Sequence, residues 1–271
     1  MLLECALLAL AGTVSLPATS NFHQQSSQVY ALSGKGRVSL QNINGDVHIR
    51  AWDRNQVRID AVKTASSRNL LNEALVVIDS SADSISIRTR YADGSNPNPG
   101  KVEFTVMVPR HSRLSEIKLI NGRLDVNAVS GEVNASCING RLEARNLAGR
   151  ARLSTINGRL EATFDQLAGH SVELNSVNGS VDLTIPSDSK AEIEASTVSG
   201  GINNDFGLHV NNHHFVGHDL RGELGSGGTR IKLANVNGRI EVHHAQDGRA
   251  LSPVKDLNHG DKDDDDDDSS I

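Results

Sequence analysis

A chain of 271 residues is long enough for one or two domains, and a repeat running through most of it favours one elongated body. Aromatic residues make up 3% of the chain, so its interior must be built from Ile, Leu, Val and Ala, which suits a thin solenoid better than a broad core. The net charge of −6 sits at the end: from Asp256 onward there are eight Asp and one Lys, and the remainder is near +1, without the basic footprint or stacking platforms of a nucleic-acid binder.

Residues 1–20 read as a signal peptide, with an apolar stretch over 6–16 followed by the small-residue run Pro17-Ala18-Thr19-Ser20. The stretch is too short for a transmembrane span. It carries Glu4 and lacks a basic start, and Cys5 precedes the apolar run, which does not fit a lipoprotein anchor. Strand alternation begins near Val29, runs through Val38, Leu40, Ile43, Val47 and Ile49 to Trp52, and returns at Val57, Ile59 and Ala61. Residues 64–76 carry a weak helical pattern, read as a loop or a single turn. Strands resume over 76–78, 85–89 and 102–108, and the turn formers of 93–100 form a loop.

A phrase then recurs: aliphatic, Asn, Gly, polar, aliphatic. It reads Ile43-Asn44-Gly45-Asp46-Val47, Ile120-Asn121-Gly122-Arg123-Leu124, Ile138-Asn139-Gly140-Arg141-Leu142, Ile156-Asn157-Gly158-Arg159-Leu160, Val177-Asn178-Gly179-Ser180-Val181 and Val236-Asn237-Gly238-Arg239-Ile240. With the weaker Val129-Ser130-Gly131 and Leu147-Ala148-Gly149 between them, Gly residues from 122 to 158 fall nine apart, so the unit is 18 residues in two similar halves. Asn-Gly between apolar strands is a hairpin signal. Here a two-residue hairpin pairs Ile120 with Arg123 and Ile138 with Arg141, the wrong partners for a one-faced sheet. Read as extended through the phrase, the chain points Ile120, Gly122, Leu124 and Val126 to one side and Arg123 and Asp125 to the other, with the corner near Asn127-Ala128. The fold expected is all-β: a single-stranded parallel β-helix, or solenoid, with rungs of about 18 residues. The alternative is an antiparallel β-sandwich or meander of Asn-Gly hairpins.

Stacking places equivalent residues in columns. Asn121, Asn139, Asn157 and Asn178 form a structural ladder whose amides bond along the stack. Arg123, Arg141 and Arg159 form a cationic column beside Asp125, Glu143, Glu161 and Asp182; this reads either as a solvated salt-bridge face or as a surface-binding stripe. Cys137 sits at a small-residue position matching Ala128 and Thr155, and two cysteines supply no disulfide framework. At Val108-Pro109 and Ile185-Pro186 a strand stops at proline, and a longer connector replaces the Ser/Ala-Gly corner. From 203 to 228 the pattern loosens into a Gly- and His-rich excursion. Its His209, His213, His214 and His218 are weak metal-ligand candidates, since their spacing matches no established motif. His243-His244 reads as incidental, the two side chains facing opposite ways on a strand. A last rung over 231–242 closes the body. The organisation is therefore a signal peptide at 1–20, a repeat domain at 21–248 and a disordered acidic tail at 249–271.

The order of these phrases, from Ile43-Asn44-Gly45-Asp46-Val47 and Trp52 through Val108-Pro109 and the serial Asn-Gly copies to Asn204-Asp205-Phe206-Gly207 and Gly225-Ser226-Gly227-Gly228, resembles the bacterial β-strand-repeat family named putative adhesin, a domain of unknown function. The likeness covers about 30–245. It implies an exported or envelope-associated β-helical protein and brings no catalytic residues. No cofactor is expected. The function expected is non-enzymatic presentation of an elongated surface for adhesion, binding or scaffolding at the cell envelope, exported to the periplasm, cell surface or medium. Expected partners are an envelope polysaccharide or protein, not nucleic acid, with self-association through open solenoid ends. The alternative is a polysaccharide-active lyase or hydrolase on the same scaffold.

Overall fold

The computed structural model describes residues 21–91, 100–212 and 217–257. The expected signal peptide, residues 93–99 of the turn-former run, His213, His214 and the oligo-Asp segment lie outside the described residues. The described chain is all-β apart from one short helix. It opens with β1 (Phe22–Ala31), β2 (Arg37–Asn44), β3 (Val47–Trp52) and β4 (Gln56–Ala65), passes through α1 (Arg68–Glu73), and continues with β5 (Ala74–Ser80), β6 (Ser84–Tyr91) and β7 (Lys101–Pro109). The weak helical pattern thus forms a true turn of helix, capped by Ser67, whose Oγ accepts the Leu70 N–H at 3.3 Å. The regular repeat follows as β8 (Arg113–Asn121), β9 (Leu124–Asn127), β10 (Val133–Asn139), β11 (Leu142–Leu147), β12 (Ala151–Asn157), β13 (Leu160–Phe164), β14 (Val172–Asn178) and β15 (Val181–Ile185). The C-terminal part holds β16 (Ala191–Ser199), β17 (Ile202–Asn204), β18 (Asn211–Asn212), β19 (His218–Leu224), β20 (Thr229–Asn237), β21 (Ile240–His244) and β22 (Val254–Asp256).

Successive strands of the repeat alternate between two sheets. One sheet takes β8, β10, β12 and β14, the other β9, β11, β13 and β15, and each strand runs parallel to its copy in the next rung. Val133 lies beside Ala151 and Leu142 beside Leu160, so the 18-residue unit is one rung. The strands flanking each Asn-Gly belong to different sheets, so the phrase is a corner, neither a hairpin turn nor the extended run expected from alternation. Glycine at positive φ makes that corner, with φ of 149° at Gly140 and 142° at Gly158. The second corner of the rung uses Ala128 (φ 60°) or Asn146 (φ 55°), where the alternation slips.

The body is solenoid-like, but a uniform parallel β-helix is not what the strands build: both sheets are mixed and open. At one end β4 runs antiparallel on β7 and carries β1, while β5 runs antiparallel on β6; at the other, β19 runs antiparallel on β16 and carries β18 and β22. These antiparallel strands cover rungs expected to lie open. Residues 249–257 belong to this cover, because Ser252 N–H bonds the Ser187 carbonyl at 3.0 Å and β22 pairs with β19; the boundary expected at 248 therefore falls inside the folded body.

Rung order also departs from chain order at both ends. The rung β2/β3 lies between β6/β7 and β8/β9, and the rung β20/β21 lies between β14/β15 and β16/β17. The last rung in sequence is therefore inserted and does not close the body. The connectors that skip the inserted rungs are the two proline segments singled out above. Each must climb two strand spacings, about 9.6 Å. Each makes the same turn, Ser112 N–H to the Pro109 carbonyl at 3.0 Å and Ser189 N–H to the Pro186 carbonyl at 3.2 Å.

Between the sheets lies one aliphatic core. It takes Leu114, Ile117 and Leu119 from β8, Leu153 from β12 and Leu174 from β14, against Leu124, Val126, Leu142, Leu160 and Leu183 of the facing sheet. The expected inward position of Ile120 is corrected. Alternation counted along β8 and its copies sends Leu119 inward and Ile120 outward, and the glycine corner then resets the phase so that Leu124 is again inside.

Candidate functional site

The outer face of the sheet containing β9 carries the charged columns. Asp125, Glu143, Glu161, Asp182 and Glu241 are neighbours in register, with His48 before Asp125. Arg141 Nη1 meets Glu143 Oε1 at 2.9 Å, Arg145 Nη2 meets Glu143 Oε2 at 2.6 Å, and Arg159 Nε meets Asp182 Oδ2 at 2.9 Å. Arg159 also lies 3.8 Å from Glu161, and Arg239 lies 3.1 Å from Glu241. The carboxylates are tucked under their arginines: the Glu143 and Asp182 side chains are 5% exposed. Asp125 faces His48, with 3.5 Å between Oδ2 and Nδ1, and Arg123 contributes its backbone N–H to Asp46 at 2.9 Å. This face is largely neutralised internally. Burial alone raises the Glu143 carboxyl, but the hydrogen bonds and charges of Arg141 and Arg145 outweigh it and hold its pKa below the ordinary 4.5. A carboxylate held low is fitted to ion pairing and not to general-acid chemistry.

The sign follows from the depressed folded-state value. The pair stabilises the fold above pH 4.5 and loses that contribution as pH falls through the Glu143 pKa. In thermal unfolding from pH 7 to pH 3, the gap between the wild type and Glu143→Gln is therefore expected to be widest near neutrality and to shrink below pH 4.5. A gap that grows on acidification contradicts the assignment.

The asparagines bond along the stack. Asn121 Nδ2 donates to Asn44 Oδ1 at 2.7 Å, Asn139 to Asn121 at 2.9 Å, Asn157 to Asn139 at 2.8 Å, Asn178 to Asn157 at 3.0 Å and Asn237 to Asn178 at 2.9 Å. Directly beside them stands an aliphatic column, Ile120, Ile138, Ile156, Val177, Val236 and Val198, between 38% and 53% exposed, although alternation through the phrase points Ile120 and its copies inward. The signal was present in the strands themselves, since alternation from Val133 through Ala135 and Cys137 leaves Ile138 outside. A surface depression of about 480 Å³ lies on the same sheet where Ser115 bulges out of β8; Arg37, Arg113, Lys118, Glu116 and Glu132 line it with both charge signs.

His209 is exposed and His218 is half-buried; among the described residues neither belongs to a group of three ligands able to hold one metal ion. His244 is not incidental. Its Nδ1 lies 3.0 Å from Ser187 Oγ and its ring meets Phe206 edge-on, tying the inserted rung to the proline connector. Cys137 is buried beside Thr155 with its thiol pushed up to about 11 by burial, an inert packed side chain; Ala128 sits instead at a corner. No helix among the described residues is long and apolar enough to cross a membrane.

A stack of two-sheet rungs with aligned side-chain columns defines a repeat-surface protein. Residues 138–243 match the family model described as Toastrack DUF4097, in keeping with the resemblance to a domain family of unknown function. A solved structure of a putative cell adhesion protein from Clostridium sporogenes is similar over 82% of this chain and 100% of its own, at 11% identity and a TM-score of 0.50, a likeness of fold. A putative adhesin from Bacteroides fragilis aligns over 81% of this chain and 97% of its own, with 12% identity and a TM-score of 0.37. No curated protein matches the chain.

Proposed function

We propose that this is a non-enzymatic, exported protein that presents an elongated surface for adhesion or scaffolding at the cell envelope. The observation that carries the reading is the exposed aliphatic ridge beside the asparagine ladder, which sets an Ile or Val on six successive rungs about 4.8 Å apart. Isolated exposed aliphatics need no explanation, whereas a contiguous row marks an interaction surface. An extended envelope polymer with its own repeat suits such a row, each rung adding a weak contact to the same chain. The apolar stretch over 6–16 supports export, and the name of the Clostridium sporogenes structure points the same way.

The Arg/acid columns are a poor first target, because reversing Arg141 or Arg159 strips a buried carboxylate of its partner and disturbs the fold. Ile138→Lys/Ile156→Lys changes only exposed positions. Co-sedimentation with isolated bacterial envelopes is expected to fall at least about tenfold in this variant with unfolding unchanged, a loss of the size expected when two contacts of a multivalent row are removed. Equal binding by variant and wild type removes the ridge from the function. Mass spectrometry of the mature N-terminus tests export separately, a start between Thr19 and Phe22 being expected.

A further inference from the structure

The acidic column holds similar carboxylates in different company. Glu143 has an arginine on each oxygen. Asp182 does not: Oδ2 accepts from Arg159 Nε and from Ser180 Oγ, both at 2.9 Å, while Oδ1 is buried and has no hydrogen-bond partner in a residue 4% exposed. A buried carboxylate oxygen left unpartnered is costly, and such atoms are rare unless something binds them. Glu241 is the register neighbour of Asp182, and His243 lies two residues further along β21 on the same face. Arg239 takes Glu241 Oε1 at 3.1 Å, leaving Oε2 3.7 Å from His243 Nε2. Asp205, at the end of β17, takes the other ring nitrogen, with Oδ2 2.9 Å from Nδ1. Asp182, Glu241 and His243 therefore each offer one ligand atom, and the three atoms lie within 4.8 Å of one another.

We propose that Asp182, Glu241 and His243 bind a divalent transition-metal ion of the zinc class. The carboxylates of Asp182, Glu241 and Asp205 offset part of the charge of the ion and of Arg159 and Arg239, and the imidazole selects against calcium and magnesium, which take oxygen ligands. Asp205 is a positioning residue: accepting a hydrogen bond from Nδ1–H, it fixes the tautomer that leaves the Nε2 lone pair for the metal. Ser180, Arg159 and Arg239 hold the non-ligating oxygens. Bonds of about 2.0–2.1 Å in a tetrahedron put ligand atoms about 3.4 Å apart, within reach of side-chain rotation from the present spacing. Three protein ligands leave one position for water or a group of the bound partner. The ion would clip the inserted rung β20/β21 to β15, with Asp205 bringing in β17. The matching place at the other end, His48 with Asp125, has only two such groups and does not qualify.

The test is isothermal titration of the full chain, freed of metal by chelation, with Zn2+, and the visible absorption of Co2+ in the same site. The His-rich excursion and the oligo-Asp segment supply weak background, so a variant with His209, His213, His214 and His218 all changed to Asn serves as the control. One tight equivalent is expected to survive in that control, to weaken at least about tenfold in His243→Gln, and to weaken about 10–100-fold with an altered Co2+ spectrum in Asp205→Asn. His243 is half-exposed, so its variant reports even where Asp182→Asn fails to fold. Zn2+ affinity unchanged in His243→Gln, binding lost in the excursion control, or no stoichiometric binding by the wild type each overturns the proposal.

Discussion

Gly158→Ala is expected to cost more than about 4 kcal/mol, lowering the unfolding midpoint by at least about 10 °C or abolishing soluble protein. A Cβ at Gly158 falls 1.8 Å from the carbonyl oxygen of Gly140, at φ +142°. The oxygen is backbone and itself part of the next corner, because a Cβ at Gly140 meets the Gly122 oxygen at 1.8 Å and one at Gly179 meets the Gly158 oxygen at 1.9 Å. The rungs cannot spread locally without breaking the bond from Gly140 N–H to the Asn157 carbonyl at 3.0 Å. Gly169→Ala separates strain from collision: φ there is +75° with nothing within 4 Å of the new Cβ, and the expected cost is about 1–2 kcal/mol. Equal losses from the two substitutions, measured by thermal and denaturant unfolding, contradict the close-stacked corner.

Ending the chain at Gly228 is expected to remove far more order than one rung. In a solenoid built in chain order, losing the last rung leaves its neighbour intact. Here β20/β21 separates β14/β15 from β16/β17, so the cut leaves β16 and β17 without their parallel neighbours. Ile231, Leu233, Ile240 and Val242, all fully buried, leave with the rung. At about 1.5–3 kcal/mol each they amount to about 6–12 kcal/mol, comparable with the whole stability of a domain. Hydrogen exchange is expected to show residues 191–224 unprotected in the shortened chain while 113–164 stay protected. Protection retained over 191–204 means that β16 can pair directly with β14 and that the insertion is dispensable.

Much of this was legible along the chain because a repeat writes its contacts locally. The 18-residue unit, the alignment of Asn121 with Asn139 and Asn157, and the outward Arg123 and Asp125 follow from period and alternation alone, since each residue's neighbour in the stack is its own copy one rung away. The proline connectors were legible as interruptions but not as double steps. Ile120 was misplaced by a phase error: alternation carries no record of the positive φ at Gly122 that resets it.

By itself the sequence determined a β-rich, aliphatic-cored repeat with a stacked asparagine column and charge on one face, but it ran the Asn-Gly phrase as extended strand where the folded chain turns a corner. Only the tertiary structure decided which rungs are neighbours. Placing Asp182 beside Glu241, or Asn44 beside Asn121, requires pairing between segments far apart in the chain, and that choice rests on core packing and end covering, which local periodicity does not encode. The same non-local step joins His243 to Asp205 across β17 and β21. The ladder chemistry is local and readable, whereas the ligand cluster exists only where the inserted rung has closed.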